Sequence, residues 1–160
     1  MNRREVILTA GAAVLAGCAP TSGKLPPGTK LILIRHADRA GDELNSKGRA
    51  RAQAMVTALD GIPIDMIYAP DILRNRQTAA PLSQARGLPV TLIPSELLLH
   101  RMATEAAGRT AIWIGNKDNL LSTFEALGAS GPAPVEYGDV AILEPTALGG
   151  VSVTRSRVEI

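Results

Sequence analysis

The chain has 160 residues, 46% of them hydrophobic, and a formal net charge of +2, an ordinary composition for one globular domain able to bury a core. Tyr68, Trp113, Phe124 and Tyr137 are its aromatic residues; no basic stripe interleaves with stacking rings, which excludes the pattern of a nucleic-acid binder. Cys18 is the lone cysteine, which excludes an intramolecular disulfide.

The first segment stands apart from the fold. Arg3 and Arg4 supply positive charge, and residues 6–15 form an apolar run. That run is too short for a comfortable bilayer span but suits a secretory signal. Leu15-Ala16-Gly17-Cys18 resembles the bacterial lipobox, in which the cysteine becomes the lipidated first residue. Asn2-Arg3-Arg4-Glu5-Val6-Ile7 resembles a twin-arginine export motif, with Val6 where phenylalanine is usual, so twin-arginine and general secretory export both stay open. Ala19 stands where aspartate is associated with inner-membrane retention, which favours the outer membrane. Residues 19–29 carry Pro20, Gly23, Pro26, Pro27 and Gly28 and read as a flexible tether. The expected organisation is a lipoprotein signal peptide over 1–18 with Cys18 as lipobox cysteine, a tether over 19–29 and one domain over 30–160. Such a domain is lipid-anchored in a bacterial cell envelope, facing the periplasm.

Within the domain, residues 30–34 read as a buried strand that ends abruptly in Arg35 and His36. A helix follows from residue 46, with Ser46 as N-cap. Ala50, Ala54, Met55, Ala58 and Leu59 fall at helical spacing, and Gly61 ends it. A second strand is predicted over 64–68, and a helix over 71–85 bent or interrupted at Pro81. A third strand covers 89–93, and a helical or loop excursion 95–107. A fourth strand covers 110–114, and a helix over 119–127 stops at Gly128. Residues 140–143 and 151–154 read as a final antiparallel pair. Strands alternating with helices predict an α/β protein, a three-layer α/β/α sandwich with a mainly parallel sheet. Ligands in such sheets bind beyond the carboxyl ends of the strands. Arg35-His36 and Gly115-Asn116 both follow predicted strands, so both can face one crevice. An imidazole beside guanidiniums suits attack on, or binding of, a phosphoryl group.

Leu33-Ile34-Arg35-His36-Ala37-Asp38-Arg39 resembles the Arg-His-Gly signature of the histidine phosphatase superfamily, the phosphoglycerate-mutase-like fold. Leu44-Asn45-Ser46-Lys47-Gly48 is similar to the family's L-S/T-x-x-G block, and Ile67-Tyr68-Ala69-Pro70-Asp71-Ile72-Leu73-Arg74-Asn75-Arg76-Gln77-Thr78-Ala79 to its S-x-L-x-R-x-x-Q-T-A block, with Ala69-Pro70 where the family has serine. Ala111-Ile112-Trp113-Ile114-Gly115-Asn116 matches a hydrophobic-V-G-H block, and Glu136-Tyr137-Gly138-Asp139 a late E-Y element. The resemblance implies His36 as nucleophile, forming a phosphohistidine, with Arg35 and Arg74 clamping the phosphoryl oxygens. Arg39 corresponds to an extra pocket arginine of the acid-phosphatase branch. The chemistry so implied needs no metal or other cofactor, and no Cys/His ligand cluster suggests one.

The chain departs from the family at Asn116, where a second histidine is usual. An amide still donates a hydrogen bond but is neutral and shorter. Asn116 is therefore expected to share the phosphate site with Arg35, Arg39 and Arg74 while slowing turnover. Glu96 is the nearest candidate general acid, with Glu105 and Asp38 as others. Arg76 and His100 read as surface residues. The expected function is phosphomonoester hydrolysis through His36, on a phosphorylated small molecule or phosphoprotein. The alternative is an impaired pseudophosphatase lipoprotein that binds a phosphorylated ligand or an envelope protein.

Overall fold

The computed structural model describes residues 23–160. The expected signal peptide and Cys18 lie outside the described residues. Eight strands and four α-helices follow in chain order: β1 Lys30–Arg35, β2 Arg39–Ala40, β3 Glu43–Leu44, α1 Ser46–Ala58, β4 Met66–Ala69, α2 Leu73–Arg86, β5 Val90–Leu92, α3 Leu98–Glu105, β6 Thr110–Gly115, α4 Lys117–Ala126, β7 Asp139–Pro145 and β8 Val151–Arg157. Six strands form one sheet in the order β5-β4-β6-β1-β7-β8. β5, β4, β6 and β1 are parallel, whereas β7 runs antiparallel to β1 and β8 antiparallel to β7. The three-layer, mainly parallel α/β fold expected from the sequence is the one observed.

The apolar run at residues 31–34 is explained by burial on both faces of a central strand. Alternate side chains of β1 leave the sheet on opposite sides. Leu31 and Leu33 join Trp113, Leu98, Met102 and Phe124 in one core, beneath α3 and α4. Ile32 and Ile34 join Met55, Leu59, Leu82 and Ile114 in the other, beneath α1 and α2.

Local differences from the sequence reading have physical causes. Asn45, not Ser46, caps α1: its side-chain oxygen accepts the Gly48 N–H at 2.8 Å. Pro81 sits inside α2 without ending it; Thr78, Ala79 and Leu82 are buried around it, and the helix closes at Gly87 in the left-handed conformation, φ 64°. α4 begins two residues earlier than expected, directly after Asn116. The β2–β3 hairpin, turning at Gly41 with φ 64°, was not foreseen. Its strands are two residues each, too short for a periodic signal. The expected tether is also cut short. Leu25 is buried in the core, Thr29 Oγ1 donates to the Ala106 carbonyl at 2.9 Å, and the Gly108 N–H donates to the Pro27 carbonyl. Residues 25–29 therefore belong to the domain, because the segment carries one large apolar side chain among its prolines and glycines.

Candidate active site

Strand pairing places the two strand ends side by side. In the β1–β6 register Arg35 lies opposite Gly115, and the His36 N–H donates to the Gly115 carbonyl at 2.9 Å. His36 and Asn116, eighty residues apart in sequence, thus leave adjacent parallel strands at their carboxyl ends. Gly115 has to be glycine: an added Cβ would lie 2.3 Å from Asn119 Oδ1 and 2.4 Å from Trp113 Nε1. That space is used by Asn119, whose Oδ1 accepts both the Trp113 indole N–H at 3.1 Å and the Asn116 N–H at 2.9 Å.

His36 is buried, at 2% exposure. Its Nδ1 lies 2.9 Å from the Ala37 carbonyl oxygen. A carbonyl only accepts, so Nδ1 carries the proton and the Nε2 lone pair is free in the neutral ring. Burial lowers the imidazole pKa, and the positive charges of Arg74, Arg35 and Arg39 lower it further. Together they outweigh the Ala37 hydrogen bond and bring it from 6.5 to about 4. At neutral pH His36 is an uncharged, oriented nitrogen base.

Arg35 donates to the Val135 carbonyl at 2.9 Å and lies over the Tyr137 ring, 4.2 Å from its centroid. The same ring packs 5.7 Å from that of His36. Arg74, in the first turn of α2, donates to Asn116 Oδ1 at 3.3 Å and lies 3.8 Å from the exposed Asp42 carboxylate. Nε of Arg35 and Nε of Arg74 are buried without a hydrogen-bond partner among the described residues. Both guanidiniums therefore keep donor capacity for an anion. Arg39 is exposed on β2 and donates to the Gly41 carbonyl at 2.6 Å, near enough for its charge to act on His36.

The polar run on α2 is a set of struts. Asn75 Nδ2 donates to the Ile114 carbonyl at 2.8 Å, and Gln77 Oε1 accepts the Leu44 N–H at 2.9 Å. Thr78 Oγ1 accepts the Ala37 N–H at 2.9 Å while donating to the Arg74 carbonyl at 2.8 Å. One hydroxyl thus couples the segment beside His36 to the helix that carries Arg74. None of these three was given a role in sequence, although five consecutive polar side chains, Arg74 to Thr78, opening a helix beside a buried strand were the available signal.

The acid candidates separate. Asp38 is no free acid: its Oδ2 accepts from buried Arg51 Nε at 2.7 Å, and Arg51 also donates to the Val158 carbonyl. Burial pushes the Asp38 pKa up, but the Arg51 hydrogen bond and charge prevail and hold it below 3.8. Glu105 is occupied by Arg101 and by the Tyr68 hydroxyl. Glu96 is exposed and shares a cleft with Asn116. Among the described residues no three His, Cys, Asp or Glu side chains converge to hold a metal ion.

The model of the histidine phosphatase superfamily, branch 1, matches residues 31–111. The chain belongs to the histidine phosphatase superfamily. The matched stretch runs from β1 into β6 and includes His36 and Arg74. No curated protein matches the chain in sequence. Solved structures of superfamily fold do match. The protein histidine phosphatase SixA, solved with tungstate, superposes with a TM-score of 0.65 at 17% identity, over 80% of this chain and 96% of that one. A putative phosphohistidine phosphatase SixA from Agrobacterium tumefaciens gives 0.58 at 24% identity, over 73% and 91%. A mycobacterial glucosyl-3-phosphoglycerate phosphatase with inorganic phosphate gives 0.60 at 16% identity, over 79% and 95%. At these identities the likeness speaks for the phosphoglycerate-mutase-like fold of the superfamily.

Proposed function

We propose that this domain hydrolyses phosphomonoesters through a phosphohistidine on His36. The observation that carries the reading is the state of that ring: buried, neutral, tied at Nδ1 and free at Nε2, among arginines with unspent donors. Nε2 attacks phosphorus, the N–P bond forms and the ester P–O bond breaks. The Nδ1–H bond to Ala37 supports the positive charge that the ring acquires. Arg35, Arg39 and Arg74 balance the phosphoryl oxygens, with the Asn116 amide as a neutral donor. Glu96 gives its proton to the departing oxygen. A water then attacks phosphorus and returns a proton to Glu96, releasing phosphate and restoring the Nε2 lone pair.

Asn116 supports a second reading, a domain that binds phosphate groups with little turnover. Its Oδ1 is spent on Arg74, and it brings no charge where the family histidine stands. One assay separates the two: turnover of a generic aryl phosphate by the parent, His36→Ala and Asn116→His. Parent activity that disappears in His36→Ala supports the enzyme. A silent parent with an active Asn116→His supports the binding domain. Activity retained in His36→Ala overturns both.

We further propose that Cys18 is lipidated and tethers the domain in the cell envelope. Residues 25–29 pack at the end of the sheet where β1 starts, and His36 follows its other end. A lipid at Cys18 would leave the site facing away from the membrane, toward a phosphorylated small molecule or phosphoprotein. Among the described residues no helix is long and apolar enough to cross a membrane. Cys18→Ser is expected to move the protein from the membrane fraction to the soluble envelope fraction; an unchanged distribution would refute the anchor.

A further inference from the structure

Beside the phosphate-binding residues lies a cleft of about 480 Å³ between the β5–α3 connection and α4, lined in part by Ser95, Glu96, Asn116, Asp118 and Thr123. No arginine or lysine lines it. Glu96 and Asp118 have no ion-pair partner among the described residues. Thr123, which also lines it, is only 6% exposed. The cleft's other polar groups are partly spent. Asn116 Oδ1 is held by Arg74, Ser122 Oγ donates to the Asp118 carbonyl, and Ser95 Oγ lies 3.4 Å from Glu96 Oε2. With Glu96 holding the proton it gives to the leaving oxygen, the free acceptor capacity that remains is the Asp118 carboxylate.

We propose, building on the phosphatase reading, that this cleft receives the leaving group of the substrate, that the leaving group carries an ammonium, and that Asp118 is its counter-ion. Asn116 lines the cleft and touches Arg74, so cleft and phosphate site are continuous. Arginines face the phosphoryl end and the Asp118 carboxylate the other. A substrate matching this polarity is a phosphate ester of an amino alcohol. An ester whose leaving group bears a carboxylate would meet like charge and is disfavoured. Glu96 serves as proton donor, whereas Asp118, in the first turn of α4, takes no part in the bond-breaking step.

The test measures kcat/KM of the full chain in detergent for O-phosphoethanolamine, glycerol 1-phosphate and 3-phosphoglycerate. Parent protein is expected to rank them in that order. Asp118→Asn should lower the phosphoethanolamine-to-glycerol-phosphate ratio about ten-fold, the effect of one charge-assisted contact. Asp118→Lys should reverse the ranking of phosphoethanolamine and 3-phosphoglycerate. A parent that favours 3-phosphoglycerate, or a ratio unmoved by both variants, overturns the proposal. If no ester turns over, the phosphatase reading has failed on its own. Calorimetric binding of the same three esters then decides the cleft: preference for phosphoethanolamine lost in Asp118→Lys upholds it, and equal binding overturns it.

Discussion

The ionisation of His36 ties stability to the proposed chemistry and can be tested without a substrate. In the folded protein the imidazole titrates at about 4, against 6.5 for an ordinary histidine. Between those values the unfolded chain binds a proton that the folded protein refuses. The native state therefore has its full stability from this group above about pH 6.5 and loses it as pH falls toward 4. At about 1.4 kcal/mol per pH unit the whole loss is about 3 kcal/mol. Two assays check this. The chain has two histidines, so His100→Gln leaves a single imidazole to follow by NMR; its resonance should titrate near pH 4. Urea unfolding at pH 7 and pH 4 should show the parent losing about 3 kcal/mol more than His36→Asn, which has nothing to titrate at that position. Arg74→Met should move the midpoint upward, since that guanidinium is among the causes of the depression. A midpoint at 6 or above would refute the neutral-nucleophile argument, as would equal pH dependence in parent and His36→Asn.

Three further changes probe how the site is held. Arg51→Met leaves Asp38 with only the exposed Lys47 ammonium, 3.9 Å away, and is expected to cost about 3 kcal/mol in chemical unfolding, most of it regained when Asp38→Asn is added. Asp38's own contribution, present above its ordinary pKa of 3.8 and lost as pH falls below it, should be absent from the double variant. Gly48→Ala puts a Cβ 1.9 Å from the Asp38 carbonyl oxygen, so it should destabilise by about 1–3 kcal/mol, although alanine is the better helix former. Thr78→Val removes the hydroxyl between Ala37 and Arg74; a drop in turnover of ten-fold or more with KM for aryl phosphate nearly constant is expected, and unchanged kcat would deny it a positioning role.

The fold was legible in this sequence because its signals are dense. An unbroken apolar run ending in Arg35-His36 marks a doubly covered strand and its exit, and Trp113 to Gly115 marks the neighbour. Arg74 could be placed because the segment around it resembles the family's S-x-L-x-R-x-x-Q-T-A block. The residues that hold these groups were less visible. Arg51 lies on α1 among alanines, and only its distance from Asp38 and Val158 in space gives it a role. Tyr137 lies a hundred residues from Arg35, and nothing local announces that one ring will carry a guanidinium and pack beside an imidazole. Leu25 was lost among prolines and glycines, since composition reports flexibility whereas burial of one side chain decides position.

Asn116 joins the electrostatic and structural arguments. It occupies the N-cap position of α4, its N–H is held by Asn119 and its Oδ1 by Arg74. Asparagine is among the best residues at such a position, so this side chain serves the helix as well as the pocket. It also fixes how the pocket responds to pH. With His36 neutral above about pH 5 and no imidazole at 116, the positive charge offered to phosphate is arginine charge, which does not titrate. Inorganic phosphate should then bind between pH 5.5 and 8 with an affinity that follows only the ligand's own second ionisation. Asn116→His should add a further titration of its own to that profile. If the parent already shows a second, protein-borne titration in this range, the pocket is not the arginine-only cradle described by its geometry, and a group outside it governs phosphate binding.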